Sequence, residues 1–346
     1  MGTGGLMKLA MTLLARDELD IIEAHLAFHL NAGVDIVIVS DHKSEDGTTD
    51  ILESYAREGY VHLIRRDDAY VQQSEWVTEM ARLAATEHDA DWVINSDADE
   101  FWWPREGSLK DVLAPVPEQY DVVRAVSEAF VPRPGEGLFA ERMTARVVLS
   151  APINAPDSQF RHVAKVVHRG HPRAFVRKGN HHVTGLPHGE FPGWSPIELL
   201  HFPLRSREQA ARKHEMVWTS WLVNLRGDLA KAKMVWEAGR PETYYDQVEV
   251  DDAMLGRGRA DGSLVEDTRL RDALRTLRNG SGGFVRPPEA EGRLRFGRPS
   301  FADDASRALE SVLLTEAEGV RLQRRADELA ARISQRAGAV YGSFSS

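Results

Sequence analysis

Between Lys8 and Phe101 the chain alternates short apolar runs, rich in Val and Ile, with longer stretches whose apolar residues recur at three- and four-residue steps. The short runs at 7–14, 34–40, 60–65 and 91–96 fit buried strands, and the stretches between them fit amphipathic helices. In the first stretch Leu19, Ile22, Leu26 and Leu30 share a helical face, and Gly33 stands where a left-handed C-terminal cap is wanted. The second starts after Asp46, a good N-cap, gathers Ile51, Leu52, Tyr55 and Ala56, and stops at Gly59. Trp76, Val77, Met80, Leu83 and Ala84 form the apolar face of the third. Alternation at this spacing predicts right-handed crossovers and a largely parallel sheet with helices on its faces.

Beyond Trp103 the pattern changes. Pro and Gly recur at Pro104, Gly107, Pro115, Pro117, Pro132, Pro134 and Gly135, and the strands expected at 122–126, 145–149 and 163–168 have few helices between them. A long helix is expected from Ser206, with Gln209 completing a capping box and Val217, Trp218, Trp221 and Leu222 as its apolar face. The Gly-, Pro- and Arg-rich stretch 279–300 reads as a linker or arm, and two further helices are expected at 302–314 and 316–336. The expected organisation is an α/β catalytic unit at 7–205, a helical part packed on it at 206–278, the arm at 279–300 and C-terminal helices at 301–346.

Composition narrows the classes. With 346 residues, 42% hydrophobic and 28% charged, the chain is an ordinary globular protein able to bury a sizeable core. Its 43 basic and 53 acidic residues leave a net charge of −10, which argues against a broad basic face for nucleic acid. Cysteine is absent, which excludes disulfides, thiolate zinc sites and a cysteine nucleophile, and fits a cytoplasmic setting. The apolar run at 7–14 is too short to span a membrane and lacks signal-peptide flanks; Gly2 to Gly5 read as a leader, with Met7 as a natural start. No transmembrane segment is expected, and peripheral attachment to a membrane surface stays open.

In an open parallel α/β sheet, ligands bind beyond the carboxyl ends of the strands. The residues just past the four expected strands are Arg16-Asp17-Glu18, Asp41-His42-Lys43-Ser44, Arg66-Asp67-Asp68 and Asp97-Ala98-Asp99-Glu100, so charge collects at one edge. In the last, a buried strand runs into three carboxylates within four residues. Such crowding raises carboxylate pKa values unless a cation neutralises it, and a hard divalent ion takes oxygen ligands while leaving positions for substrate phosphates. An isolated Asp-x-Asp is most simply an acidic turn; its place at the end of an apolar strand favours a metal site.

Arg16-Asp-Glu18, Asp41-x-x-Ser44-x-Asp46-Gly47-Thr48 and Asp97-Ala-Asp99-Glu100-Phe101, in that order, resemble glycosyltransferase family 2. The first helix, with Glu23-x-His25-x-x-x-His29-x-x-x-Gly33, resembles one branch of it, the branch with Asp-x-Asp-Glu-Phe. The resemblance covers about residues 7–215. It implies a GT-A fold, Rossmann-like with a mostly parallel central sheet, a nucleotide-sugar donor and Mn²⁺ or Mg²⁺. It also implies Asp41 at the nucleoside, Arg16 and Glu18 in the donor site with Glu18 near the base, Asp97 at the ribose and metal, and Asp99 as a direct metal ligand. The chain departs from the family at Asp17, where Asn is usual, and at His42-Lys43, where small residues are common.

In Leu199-Leu-His201-Phe-Pro-Leu-Arg205-Ser206, His201 resembles the family's His before the long helix and is the expected third metal ligand. Lys165 matches a family-like position from which a point charge would neutralise the leaving diphosphate; its plain alternative is a solvated strand-edge lysine. His181-His182 also match. The nearby His162, His168, His171 and His188 suggest zinc only weakly, since no zinc motif is present. Inverting transfer needs a general base, for which Glu190 is the first candidate, Glu198 the second and Glu128 the third. Trp103 is a candidate for stacking on a sugar, or else core; Trp102 reads as core, and the arginine run 269–278 as a solvated face. The acceptor would be a saccharide, a lipid-linked molecule or a small molecule. Competing readings are a nucleotidyltransferase, disfavoured by the absence of a glycine-rich loop after the first strand, and a non-catalytic nucleotide-binding scaffold.

Overall fold

A computed structural model describes residues 7–148, 163–192, 195–213, 245–246, 248–287, 294, 296 and 297. β1 (Leu9–Ala15), β2 (Ile36–Asp41), β3 (Val61–Arg65) and β4 (Trp92–Asp97) alternate with α1 (Ile22–Asn31), α2 (Thr48–Arg57) and α3 (Gln73–Thr86). The strands lie in the order β3-β2-β1-β4, all parallel, with Leu14 level with Ser40 and Asp97. Period-two alternation decides which helix each side chain meets. Leu9, Met11, Leu13, Val37, Val39, Trp92 and Ile94 face α1 and α2, whereas Ala10, Ile36, Ile38 and Val93 face Val77, Met80, Ala81 and Ala84 of α3. Leu19, expected on the first helical face, lies ahead of α1 and is 47% exposed. Gly33 has φ +115°, and a Cβ there would meet Ser108 Cβ at 3.3 Å, so only glycine closes this turn without strain.

The sheet continues as β4-β8-β6-β12-β5, built from β5 (Glu100–Pro104), β6 (Tyr120–Ala129), β8 (Ala164–Arg169) and β12 (Ile197–His201). β8 is antiparallel to both neighbours, β12 is parallel to β6, and β5 is antiparallel to β12. The class is α/β as expected, with two reversed strands in a sheet that otherwise runs one way. The reversals let the carboxyl ends of β4, β6 and β12 share an edge with those of β1 to β3. α4 (Leu109–Leu113) follows β5, and its Ser108 and Asp111 form a capping box. The small elements α5 (Phe139–Arg142), β7 (Ala145–Val147), the hairpin β9 (Phe175–Val176) with β10 (Val183–Thr184), and β11 (Gly189–Glu190) complete this half.

Chain beyond 250 returns to the body. α6 (Asp252–Asp261) leads into β13 (Leu264–Glu266), which pairs with β7, and α7 (Arg269–Leu277) buries Leu270, Leu274 and Leu277 in the main core. The arginine run is therefore half of an amphipathic helix. The stretch expected as a linker or arm supplies Phe284, Val285 and Phe296 to the same core. The helix expected from Ser206 is present at 207–213. There Gln209 N donates to Ser206 Oγ, while the Gln209 side chain accepts from Arg205 N, one residue before the capping-box partner. Val217, Trp218, Trp221, Leu222, Gly2 to Gly5, His162 and the helices at 301–346 lie outside the described residues. Among the described residues no helix is long and apolar enough to cross a membrane.

Candidate active site

The loops after β1 and β2 are tied to each other side chain to backbone. Glu18 N donates to Thr48 Oγ1, Leu19 N to Asp46 Oδ2, Asp17 N to Ser44 Oγ and Glu45 N to Asp17 Oδ1, at 2.8–3.0 Å. Asp17 and Lys43 sit at the loop tips with φ of 53° and 56°. Asp and Asn tolerate that left-handed region better than other residues, which accounts for the residue type at 17; Lys43 is held there by the surrounding bonds. Asp41 is buried, accepting from Ser44 Oγ at 2.6 Å and Thr49 Oγ1 at 2.5 Å, so it braces the loop and the first turn of α2. Arg16 stands at the mouth, its Nη1 3.4 Å from His42 Nδ1.

The acidic turn is built in two halves. Asp97, 34% exposed, closes β4; its Oδ2 accepts from Lys165 Nζ at 2.6 Å and its Oδ1 from Asn180 Nδ2 at 3.2 Å. Lys165 comes from β8, and Asn180 from the turn joining β9 to β10. The fully buried Glu100 accepts from Asp97 N at 3.0 Å and pairs with Lys165 at 2.9 Å. Burial pushes the Glu100 carboxyl up, against the pull of Lys165. Burial also opposes the charge on Lys165, but Asp97 and Glu100 outweigh it and raise its pKa.

Asp99 is buried, with Oδ1 3.5 Å from His201 Nε2 and Oδ2 2.5 Å from Lys213 Nζ. Burial disfavours its charge, yet Lys213, then His201 and Arg205, hold its pKa well below the usual carboxylate range. Lys213 was not singled out from sequence, and nothing but its place on the helix after His201 could have suggested it. The fully buried Arg205 gives Nη2 to Glu18 Oε2 at 2.5 Å and Nε to Asp20 Oδ2 at 2.7 Å, clamping the β1 loop to the segment after β12. Burial raises the Glu18 pKa, and Arg205 draws it part of the way back.

The structure thus brings Asp97, Asp99, Lys165 and His201 to one edge with Arg16, Glu18 and Asp41. The sequence-based base candidates are each ion-paired to arginine, and two of them stand back from that edge. Glu190 is the clearest displacement. β11 pairs with the start of β6 at Val122, which is level with His168 and hence with Val93, near the amino end of β4. The offset from Val93 to Asp97 is four residues, about 13 Å along a strand, and Glu190 pairs with Arg124, two residues further along β6 than Val122. Glu198 is buried against Arg269 at 2.5 Å, three residues back from His201. Glu128 is at the carboxyl edge but turns inward to Arg146 at 3.2 Å and Arg269 at 3.6 Å. Trp103 stacks on Phe28, meets Phe296 edge-on and lies under Arg269, so the aromatic cluster takes the ring expected for a sugar. His181 Nδ1 donates to Ala164 O at 2.8 Å beside Lys165, and His182 is exposed. Among the described residues no group of three or more His or carboxylate side chains is placed to hold a metal by itself, zinc included.

Residues 12–122 match the family profile described as glycosyltransferase family 92. That span contains Arg16, Glu18, Asp41, Asp97 and Asp99 and ends before Lys165, His201 and Lys213. The earlier resemblance was to family 2; the glycosyltransferase class is common to both. No curated protein sequence matches the chain. Among solved structures, the mannosyltransferase PcManGT from Pyrobaculum calidifontis in complex with GDP-Man and Mn²⁺ is similar at 19% identity, over 34% of this chain and 35% of its own, with TM-score 0.27. The chain thus spans about a third of that protein's length. S. aureus TarS 1-349 in complex with UDP-GlcNAc is similar at 13% identity over 73% of each chain, with TM-score 0.34. Glucosyl-3-phosphoglycerate synthase from Mycobacterium tuberculosis, in complex with Mn²⁺, UDP-glucose and phosphoglyceric acid, is similar at 18% identity over 39% of this chain and 47% of its own, with TM-score 0.26. The family match thus marks residues 12–122 as similar to a glycosyltransferase domain.

Proposed function

We propose that this chain moves a sugar from a nucleotide-sugar donor to an acceptor hydroxyl at the carboxyl edge of a GT-A-type sheet, with a divalent cation. The observation that carries the reading is the meeting of Asp97 and Asp99, at the end of β4, with Lys165, His201 and Lys213 from three later segments. Asp41, Arg16 and Glu18 would line the nucleoside end, and Asp97 the ribose.

The donor set suits a hard cation. Asp99 Oδ1 and His201 Nε2 are 3.5 Å apart, near the ~3 Å separating adjacent ligands of an ion bound at about 2.1 Å. Mg²⁺ and Mn²⁺ are usually held by one or two protein carboxylates plus substrate phosphates, so a complete protein cage is not required. Charge agrees: the carboxylates Glu18, Asp20, Asp97, Asp99 and Glu100 outnumber the basic groups Lys165, Arg205 and Lys213 they touch. Asp99 and His201, with Asp97 beside them, would hold the Mn²⁺ or Mg²⁺. When bound, the ion supplies positive charge to the diphosphate that departs.

The chain's own residues position the donor and supply fixed charge. Lys165, fixed between Asp97 and Glu100, places an ammonium where negative charge grows as the sugar leaves, and it needs no reorganisation at that moment. Arg205 holds the β1 loop, so the nucleoside end is set before the donor arrives. Thermal unfolding with UDP, GDP, CDP and dTDP, each with and without Mn²⁺, tests the reading. Ligand at 100 times its Kd adds about 2.7 kcal/mol, a visible shift. A metal-dependent shift with one nucleotide is expected, followed by turnover of the matching sugar donors. No shift with any pair at millimolar concentration would overturn the reading.

A further inference from the structure

We propose that Lys213 is a donor-binding residue whose ammonium grips the diphosphate of the nucleotide sugar; the inference rests on the nucleotide-sugar reading above. Arg205, Lys165 and Lys213 pair with the carboxylates of the acidic edge, and they differ in what they have left to offer. Arg205 is fully buried, with its guanidinium on Glu18, Asp20 and the Phe202 carbonyl. Lys165 is enclosed between Asp97 and Glu100, its side chain 6% exposed. Lys213 gives Nζ to Asp99 Oδ2 at 2.5 Å and, at 3.4 Å, to the Pro203 carbonyl, while 37% of its side chain stays open. An ammonium carries three N–H donors, so one remains for an incoming acceptor.

The anchor points decide where that donor faces. Asp99 turns its other oxygen toward His201, so Lys213 stands across the Asp99 carboxylate from the group paired with it as metal ligand. A phosphate oxygen beside Asp99 and His201 would come within reach of the free N–H. A lysine serving only to neutralise a buried carboxylate would gain by being enclosed, because an exposed pair is weakened by water and salt. Lys213 instead pairs with a buried carboxylate while 37% of its side chain stays exposed. Lys165, enclosed on the Asp97 side of the acidic turn, would add its charge from there while Lys213 makes the contact.

The test compares nucleoside with nucleoside diphosphate, for the base wild type selects, by calorimetry at fixed Mn²⁺ on the full chain. Lys213→Gln is expected to weaken the diphosphate roughly tenfold or more, the loss typical of a charge-assisted hydrogen bond, with nucleoside affinity unchanged. Lys213→Arg should retain most of the binding. Should Lys213→Gln not fold with Asp99 left bare, Asp99→Asn is compared with Asp99→Asn/Lys213→Gln without Mn²⁺, where the preference for diphosphate over nucleoside should fall on adding the lysine change. Diphosphate affinity within twofold of the parent in either comparison overturns the proposal. So does an equal loss of nucleoside and diphosphate that Lys213→Arg shares, since that marks a prop for Asp99. Wild type that binds no nucleotide at all would instead remove the nucleotide-sugar reading, and this proposal with it.

Discussion

His29 accepts the backbone N–H of Trp102 on its Nε2 at 3.0 Å, and its Nδ1 donates to the His25 carbonyl at 2.8 Å, so both ring nitrogens are used and the tautomer is fixed. Trp102 lies on β5, the last strand of the sheet, and this imidazole takes up an N–H that no further strand is there to pair. His25 on the preceding turn of α1 reaches Ser96 Oγ at 3.4 Å, the same oxygen that accepts Trp102 Nε1 at 3.0 Å. The two histidines of the first helix therefore brace both sides of the Asp97–Glu100 turn from within the core. Replacing His29 by Phe would strand a buried N–H, a penalty of about 2–3 kcal/mol. Urea unfolding of His29→Phe should show that loss; a change below about 0.5 kcal/mol would mean the bond contributes little.

Buried histidines also set an acid limit on stability. His168 is fully buried in β8 with Nδ1 on the Arg169 carbonyl, and burial pushes its pKa down to about 4, from the ordinary 6.5. The unfolded chain then binds the extra proton between those values. Its contribution is complete above about pH 6.5 and is lost progressively as pH falls toward 4. At pH 5 the loss from this one residue is about 2 kcal/mol. Comparing unfolding at pH 7 and pH 5, His168→Gln should lose less on acidification than wild type by that margin. Equal acid sensitivity would show that His168 takes up its proton as readily in the fold as in the unfolded chain.

Why the first half of this site was legible in sequence, and the second half was not, follows from how each is built. Arg16, Glu18, Asp41, Asp97 and Asp99 follow strands whose period-two burial is written in Val and Ile, so finding the strands finds the edge. Lys165 and His201 came from short strands in a Pro- and Gly-rich stretch, where periodicity is weak and the resemblance did the work. Glu190 stands on β11, a two-residue strand whose position depends on pairing with the start of β6, which no local pattern encodes. Phe284 and Phe296 looked like arm residues because Gly and Pro surround them, yet two aromatic rings suffice to fasten that stretch to the core. Lys213 carries no local signal, being one lysine on a helix whose importance lies in what it touches.

Asp99 couples the site to stability. Asp99→Asn keeps the shape but leaves Lys213 and His201 without the charge they face. Breaking a buried pair costs roughly 3–5 kcal/mol, and Lys213 can turn to water, so a loss of about 3 kcal/mol in a folded variant is expected. Mn²⁺-dependent nucleotide binding should vanish with it. The burial of Asp99 against Lys213 adds the stability cost. Calorimetry and denaturant titration on one preparation separate the two effects, and retained metal-dependent binding would remove Asp99 from the ligand set.

Glu190 supplies the opposite test. Its side chain is 40% exposed, and its strand pairs with β6 at Val122, with its partner Arg124 two residues further along. An exposed pair of this kind contributes at most about 1 kcal/mol, and much of that is screened by salt. Glu190→Gln should therefore transfer sugar at close to the wild-type rate, with unfolding changed by no more than that amount. A general base at the same position would behave otherwise: the loss would be on the order of 10²–10⁴-fold in kcat, with donor affinity intact. A kcat reduced by that factor, measured with the donor that the nucleotide screen identifies, would place catalysis at the amino edge and overturn the assignment of Asp97 and Asp99 to the reacting end.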